Sequence, residues 1–88
     1  MTITGLQVRA ARAFLVWDRR DLARRAVVSL SAVERIEMGS PVSGKAMTAA
    51  LASVQATLEA EGIEFTEDNG VLGVRLHAKP AGKGKAKR

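Results

Sequence analysis

The sequence predicts a mainly α fold of about four helices, closed by a C-terminal β-hairpin and followed by a basic tail. Three observations carry this expectation. The core-forming types are Ala, Leu and Val, with only Phe14, Trp17 and Phe65 as rings, which suits packed helices better than a β-sandwich. Apolar residues recur at steps of three and four as far as Gly62. Beyond Gly62 they alternate at every second position, as in a strand. At 88 residues the chain is one domain near the low end of what folds unaided. The expected division is a folded domain over residues 1–76 and a disordered basic tail over residues 77–88.

Each element has a local reason. Thr4 is a usable N-cap for a first helix running to about residue 16, with Val8, Ala11, Arg12 and Leu15 on one face. Asp18 can cap a second helix over about 19–26, whose inner face is Leu22, Ala23 and Ala26. A break at residues 27–29 follows, and Ser29 is the natural N-cap of a third helix to about residue 38, with Val33 and Ile36 inward. Gly39 fits the left-handed position after that helix, and Ser40-Pro41 confirms the stop. After a loop over residues 41–44, a longer helix over about 45–61 carries the stripe Met47, Leu51, Val54 and Leu58. Ile63-Glu64-Phe65-Thr66, the turn residues Glu67-Asp68-Asn69-Gly70 and Val74-Arg75-Leu76 then read as a β-hairpin at 63–76. The Lys, Gly and Ala residues beyond have nothing to bury.

Charge is unevenly distributed. The net charge is +5, all of it in the five basic residues from Lys79 to Arg88. The rest sums to zero but is polarised, with residues 1–45 at +4 and residues 46–76 at −4. A basic half beside an acidic half fits a polyanion that meets only the first, against the plainer reading of ordinary solvated charge. Cysteine is absent and His77 is the single histidine, so disulfides, thiolate chemistry and multi-histidine metal sites are excluded. No histidine–nucleophile pair and no phosphate-cradling glycine loop is visible, so neither enzyme activity nor a cofactor is expected. The longest apolar stretch is five residues and no signal pattern opens the chain, so a soluble cytoplasmic protein without membrane contact is expected.

The informative segment is 19–39: a short helix, a three-residue turn and a second helix, with Ala23 small where the two must approach. Such a unit presents the N-terminal end of its second helix outward, where a DNA major groove accepts it. Here Asp21-Leu22-Ala23, Val28-Ser29, Val33 and the ending Ile36-Glu37-Met38-Gly39 resemble the lambda-repressor/Cro-type helix-turn-helix family, also called the XRE family. The likeness is strong over about residues 6–39. Glu61-Gly62-Ile63-Glu64-Phe65 with Gly73-Val74-Arg75-Leu76 extends it toward the small stand-alone bacterial regulators of that family. Two positions depart from the pattern. Val27 stands where the family has a glycine with positive φ, and Arg19 stands where it often has glutamine.

The resemblance implies a lambda-repressor-like fold and a transcriptional regulator, a repressor or self-regulating switch, binding double-stranded DNA. Its base-reading positions fall on Ser29, Leu30, Ser31 and Arg35. Arg35 has the chemistry to bind guanine O6 and N7 in a bidentate pair, Ser31 specifies little, and Leu30 offers only contact to a thymine methyl. Arg19 is expected to hold phosphate at the start of its helix, with Lys45 as a second phosphate contact. Arg12 and Glu37 are implied to form a partly buried ion pair. One recognition helix covers only about four or five base pairs, so a homodimer on a palindromic operator is expected. Its contact is expected at the hairpin, through Ile63, Phe65, Val74 and Leu76. Trp17 is expected to cap the core, Arg24 and Arg25 to be solvated, and His77 to be a terminal strand residue. The competing readings are a protein-binding module of the same fold, acting as an antiactivator or antitoxin, and nonspecific polyanion or anionic-membrane binding through the tail.

Overall fold

Side-chain caps start three of the four helices in the computed structural model, which describes residues 2–78. Helix α1 (Gly5–Leu15) opens on a reciprocal box: Gln7 N–H donates to Thr4 Oγ1 at 3.2 Å, and Thr4 N–H to Gln7 Oε1 at 2.9 Å. Helix α2 (Arg19–Ala26) repeats the device with Asp18 and Asp21 at 2.7 and 3.0 Å. Helix α3 (Leu30–Glu37) starts where Ser29 Oγ accepts the Ala32 N–H at 3.0 Å. Helix α4 (Gly44–Ala60) has no such bond from Ser43. Strands β1 (Ile63–Asp68) and β2 (Val71–Leu76) pair antiparallel, from Ile63 opposite Leu76 to Asp68 opposite Val71. The link is tighter than the four-residue turn expected. Asn69 and Gly70 alone make it, both at positive φ, so Glu67 and Asp68 belong to the strand.

The apolar stripes converge on one core. Val8 and Ala11 of α1 meet Leu22, Ala23 and Ala26 of α2, Val33 and Ile36 of α3, and Val54 and Leu58 of α4. Trp17 and the partly buried Met47 and Leu51 pack around it. Gly5 is small for a reason: a Cβ there would strike the backbone carbonyls of Ile36 and Glu37, where α1 crosses the end of α3. The hairpin is fixed by a buried amide. Gln7 Nε2 donates to the carbonyls of Thr66 and Gly73, each at 3.0 Å, so the side chain that caps α1 also holds both strands. Every buried side-chain nitrogen and oxygen among the described residues has a partner.

The hairpin packs on its own chain through most of the residues expected at a dimer contact. Ile63 and Phe65 are buried in the core of their own chain, and Val74 is partly buried against it. Only Leu76 of the four is exposed. Alternation predicted one apolar face, and the helices of the same chain cover it. The disordered tail expected over residues 77–88 lies outside the described residues from residue 79 on, whereas His77 is described and donates its backbone N–H to the Gly62 carbonyl. No described helix is long and apolar enough to cross a membrane.

Two helices end on a β-branched residue in the left-handed region, Val16 and Val27, both at φ 57°. Val27 takes the conformation expected at its turn position without the glycine that eases it. Both side chains are almost fully exposed, so burial does little to offset the backbone cost. Val27→Gly and Val16→Gly are each expected to stabilise the fold by about 1 kcal/mol, read as a raised midpoint in urea melts. A lowered midpoint for both would show that the valines pack usefully.

Candidate nucleic-acid interface

The surface formed by α2 and α3 rests on one carboxylate. Glu37, the last residue of α3, accepts from Arg12 Nε at 2.6 Å and Arg12 Nη2 at 2.9 Å, a two-pronged pair. It also accepts from Arg19 Nε at 3.0 Å. Arg12 Nη1 donates to the carbonyl of Trp17 at 2.9 Å, tying the α1–α2 link to the same group. Side-chain exposure grades outward, from 0% for Glu37 to 17% for Arg12 and 43% for Arg19. Burial pushes the Glu37 carboxyl up, but hydrogen bonds and charge from Arg12 and then Arg19 outweigh it and hold it below the ordinary value. The hydrogen bond to Glu37 holds the Arg12 guanidinium above its ordinary value, against the effect of its own burial.

The expected base-reading positions run from the N-cap of α3 to its last turn, where Arg35 lies. Ser31 and Arg35 lie a turn apart on its exposed side, and Leu30 and Glu34 lie beside them. Leu30 and Glu34 line a hollow with Asp18, Arg19 and Arg20 from the start of α2, and with Arg12. Ser29 is exposed, and its oxygen is engaged as the cap of α3. Lys45 lies outside this hollow, in the first turn of α4. Its neighbour Ala46 lines a groove with Val28, Ser29 and Ala32, a groove that Lys45 itself does not line.

Arg19, expected to contact phosphate, has an engagement that the sequence did not show. It stands at the rim of the hollow, as a phosphate contact must, while its Nε is committed to Glu37. Arg20 and Glu34 were not singled out by sequence. A signal for Arg20 was available: Arg19 and Arg20 occupy the first turn of α2, where the helix dipole disfavours cations. Arg24 pairs with Asp21 at 2.9 Å on the surface. Arg25 stacks over the Trp17 ring at 4.4 Å, a use of that ring from outside while its other contacts reach the core. His77 continues beyond β2, its N–H donating to the Gly62 carbonyl at 2.8 Å and its Nε2 lying 2.7 Å from Glu64 Oε1.

Removing one partner of the buried pair has a measurable cost. Arg12→Ala leaves a fully buried carboxylate with Arg19 alone and should destabilise by about 3 kcal/mol. Because the Glu37 carboxyl is lowered in the fold, it stabilises above its ordinary value of 4.5, and that contribution is lost as the pH falls through the folded value. Glu37→Gln should start less stable at neutral pH and show a shallower loss of melting temperature below about pH 4.5. Parallel acid limbs for the two proteins would show that the carboxylate does not depend on its arginines. In comparisons with models of protein families and with curated proteins, nothing matches this chain.

Proposed function

We propose that the chain is a sequence-specific DNA-binding regulator of the lambda-repressor/Cro type, in which α2, the Val27–Ser29 turn and α3 act as a helix-turn-helix. One arrangement carries this reading: Arg35 and Ser31 stand exposed on α3, whose Leu30 and Glu34 line a hollow with Arg19 and Arg20 at the start of α2. In a major groove, Arg35 takes guanine O6 and N7, and Leu30 meets a thymine methyl. Glu34 supplies the acceptor that a cytosine amino group needs, and its charge keeps the surrounding surface from gripping every sequence equally. Arg19, Arg20 and Lys45 hold phosphates and set the docking register, with backbone amides at the helix starts beside them.

The Glu37 contact suits Arg19 for this task. With Nε bound, the guanidinium loses rotational freedom before DNA arrives, so less remains to be ordered on docking. No cofactor, metal or membrane enters the reading. A single α3 covers half a site, so two copies of the chain on a palindrome complete it.

The test is selection of preferred sites from a random duplex pool, followed by binding titrations at two salt concentrations. A preferred site should emerge, and Arg35→Ala should lose about 1–3 kcal/mol on it, mostly as lost discrimination at one base pair. Arg19→Ala should weaken specific and random duplexes alike and lower the salt slope by about one unit, with its melt recorded because of the bond to Glu37. A pool that yields no preferred site, or equal losses on specific and random DNA for Arg35→Ala, would overturn base reading by this helix.

A further inference from the structure

Helix α1 is apolar on two sides. Its inner side, Val8 and Ala11, belongs to the core. Its solvent side consists of Leu6, Ala10, Ala13 and Phe14, with Arg9 at one margin. A surface helix ordinarily turns polar residues to water. Here Leu6 is 67% and Phe14 49% exposed. The apolar surface continues past the helix in both directions. Leu6, Ala10 and Phe14 line a hollow with Leu72 of the overhanging hairpin, and Leu6 and Arg9 line another with Met38 at the end of α3. Leu72 and Met38 are themselves exposed. Such a continuous strip, rimmed by charge, marks an interaction surface.

The rim identifies the occupant. On the α3 margin stands Arg9, which pairs with no acid among the described residues. On the hairpin margin stands Glu67, opposite Leu72 across the strands, which accepts the Gly70 N–H at 2.8 Å and pairs with no cation among the described residues. The surface thus carries both halves of a complementary pair on its two sides, as an isologous contact requires. We propose that a second copy of the chain docks on this face, about a twofold axis along the Leu6–Ala10–Phe14 stripe. That axis exchanges the two margins, setting Arg9 against the partner's Glu67, and Met38 against the partner's Leu72. Ala10 and Ala13 let the two helices approach closely. The antiparallel arrangement is disfavoured because it sets Arg9 against the same residue of the other copy. The choice of a second copy rests in part on the proposed function, while the surface stands apart from it.

Sedimentation velocity on the full chain without DNA, from about 1 to 100 µM, tests the contact. The parent should be a dimer in that range. Phe14→Glu should be a monomer that still melts cooperatively, at a midpoint no longer dependent on protein concentration, since half of the residue is already exposed in the single chain. Arg9→Glu should weaken association by roughly tenfold, and adding Glu67→Arg should recover most of that loss. The charge swap decides the matter should Phe14→Glu fail to fold. A parent that stays monomeric, a Phe14→Glu dimer, or a swap without recovery would each overturn the proposal. So would a monomeric parent that sediments with phosphatidylglycerol vesicles, which would give the face to lipid. Binding titrations on the selected site separate the two readings. A dimer broken by Phe14→Glu that binds no DNA keeps this contact and removes base reading. A monomeric parent that still selects a sequence does the reverse.

Discussion

The Glu37 carboxylate is the constraint on which the helical part of the molecule depends. It is fully buried at the end of α3 and is reached by Arg12 from α1 and Arg19 from α2. A buried charge of this kind contributes little net stability over a well-packed apolar group, and its value lies in what it forbids. Any sliding of α1 or α2 against α3 strips the carboxylate of a hydrogen bond in a place water reaches poorly. Three helices are thereby held to one mutual arrangement by a group that tolerates no other.

This fixing matters because the surface built on α2 and α3 is small. Leu30, Ser31, Glu34 and Arg35 occupy little more than one turn, and Arg19 and Arg20 of α2 share a hollow with Leu30 and Glu34. Under the proposed function, a bidentate pair to a base edge would be lost with displacements of well under a helical turn. The exposure gradient from Glu37 through Arg12 to Arg19 runs from interior to rim, so rigidity of the interior is passed to the surface through a chain of hydrogen bonds.

What was legible in the sequence was local. Thr4, Asp18 and Ser29 announce helix starts because each acts on an amide three residues on, and Asn69-Gly70 announces a turn because both residues accept positive φ. Destinations were less legible. Alternation at Ile63 and Phe65 revealed a face but not its partner, and the chain's own helices proved to be that partner. The Arg12–Glu37 pair came from resemblance, whereas Arg19's bond to Glu37, eighteen positions away, left no mark in spacing. Gln7 was equally silent, a polar residue whose acceptors lie fifty-nine and sixty-six positions downstream. Val16 gave no sign either, since nothing in a valine advertises a left-handed helix end.

The reach of Gln7 bears on how the chain is made. During synthesis α1 emerges first, and the α2–α3 unit needs only neighbours close in sequence, so both are available early. The Gln7 amide then waits, because the carbonyls it must donate to belong to Thr66 and Gly73, near the far end of the described residues. Until β2 has left the ribosome, the groove beside α1 holds a donor that cannot be buried without loss. A chain that stops before Gly73 therefore lacks more than a strand: it keeps the docking seam open to solvent, and with it a site for proteolysis. The amide is satisfied only when α1 and both strands are in place, and so couples the first helix to the hairpin.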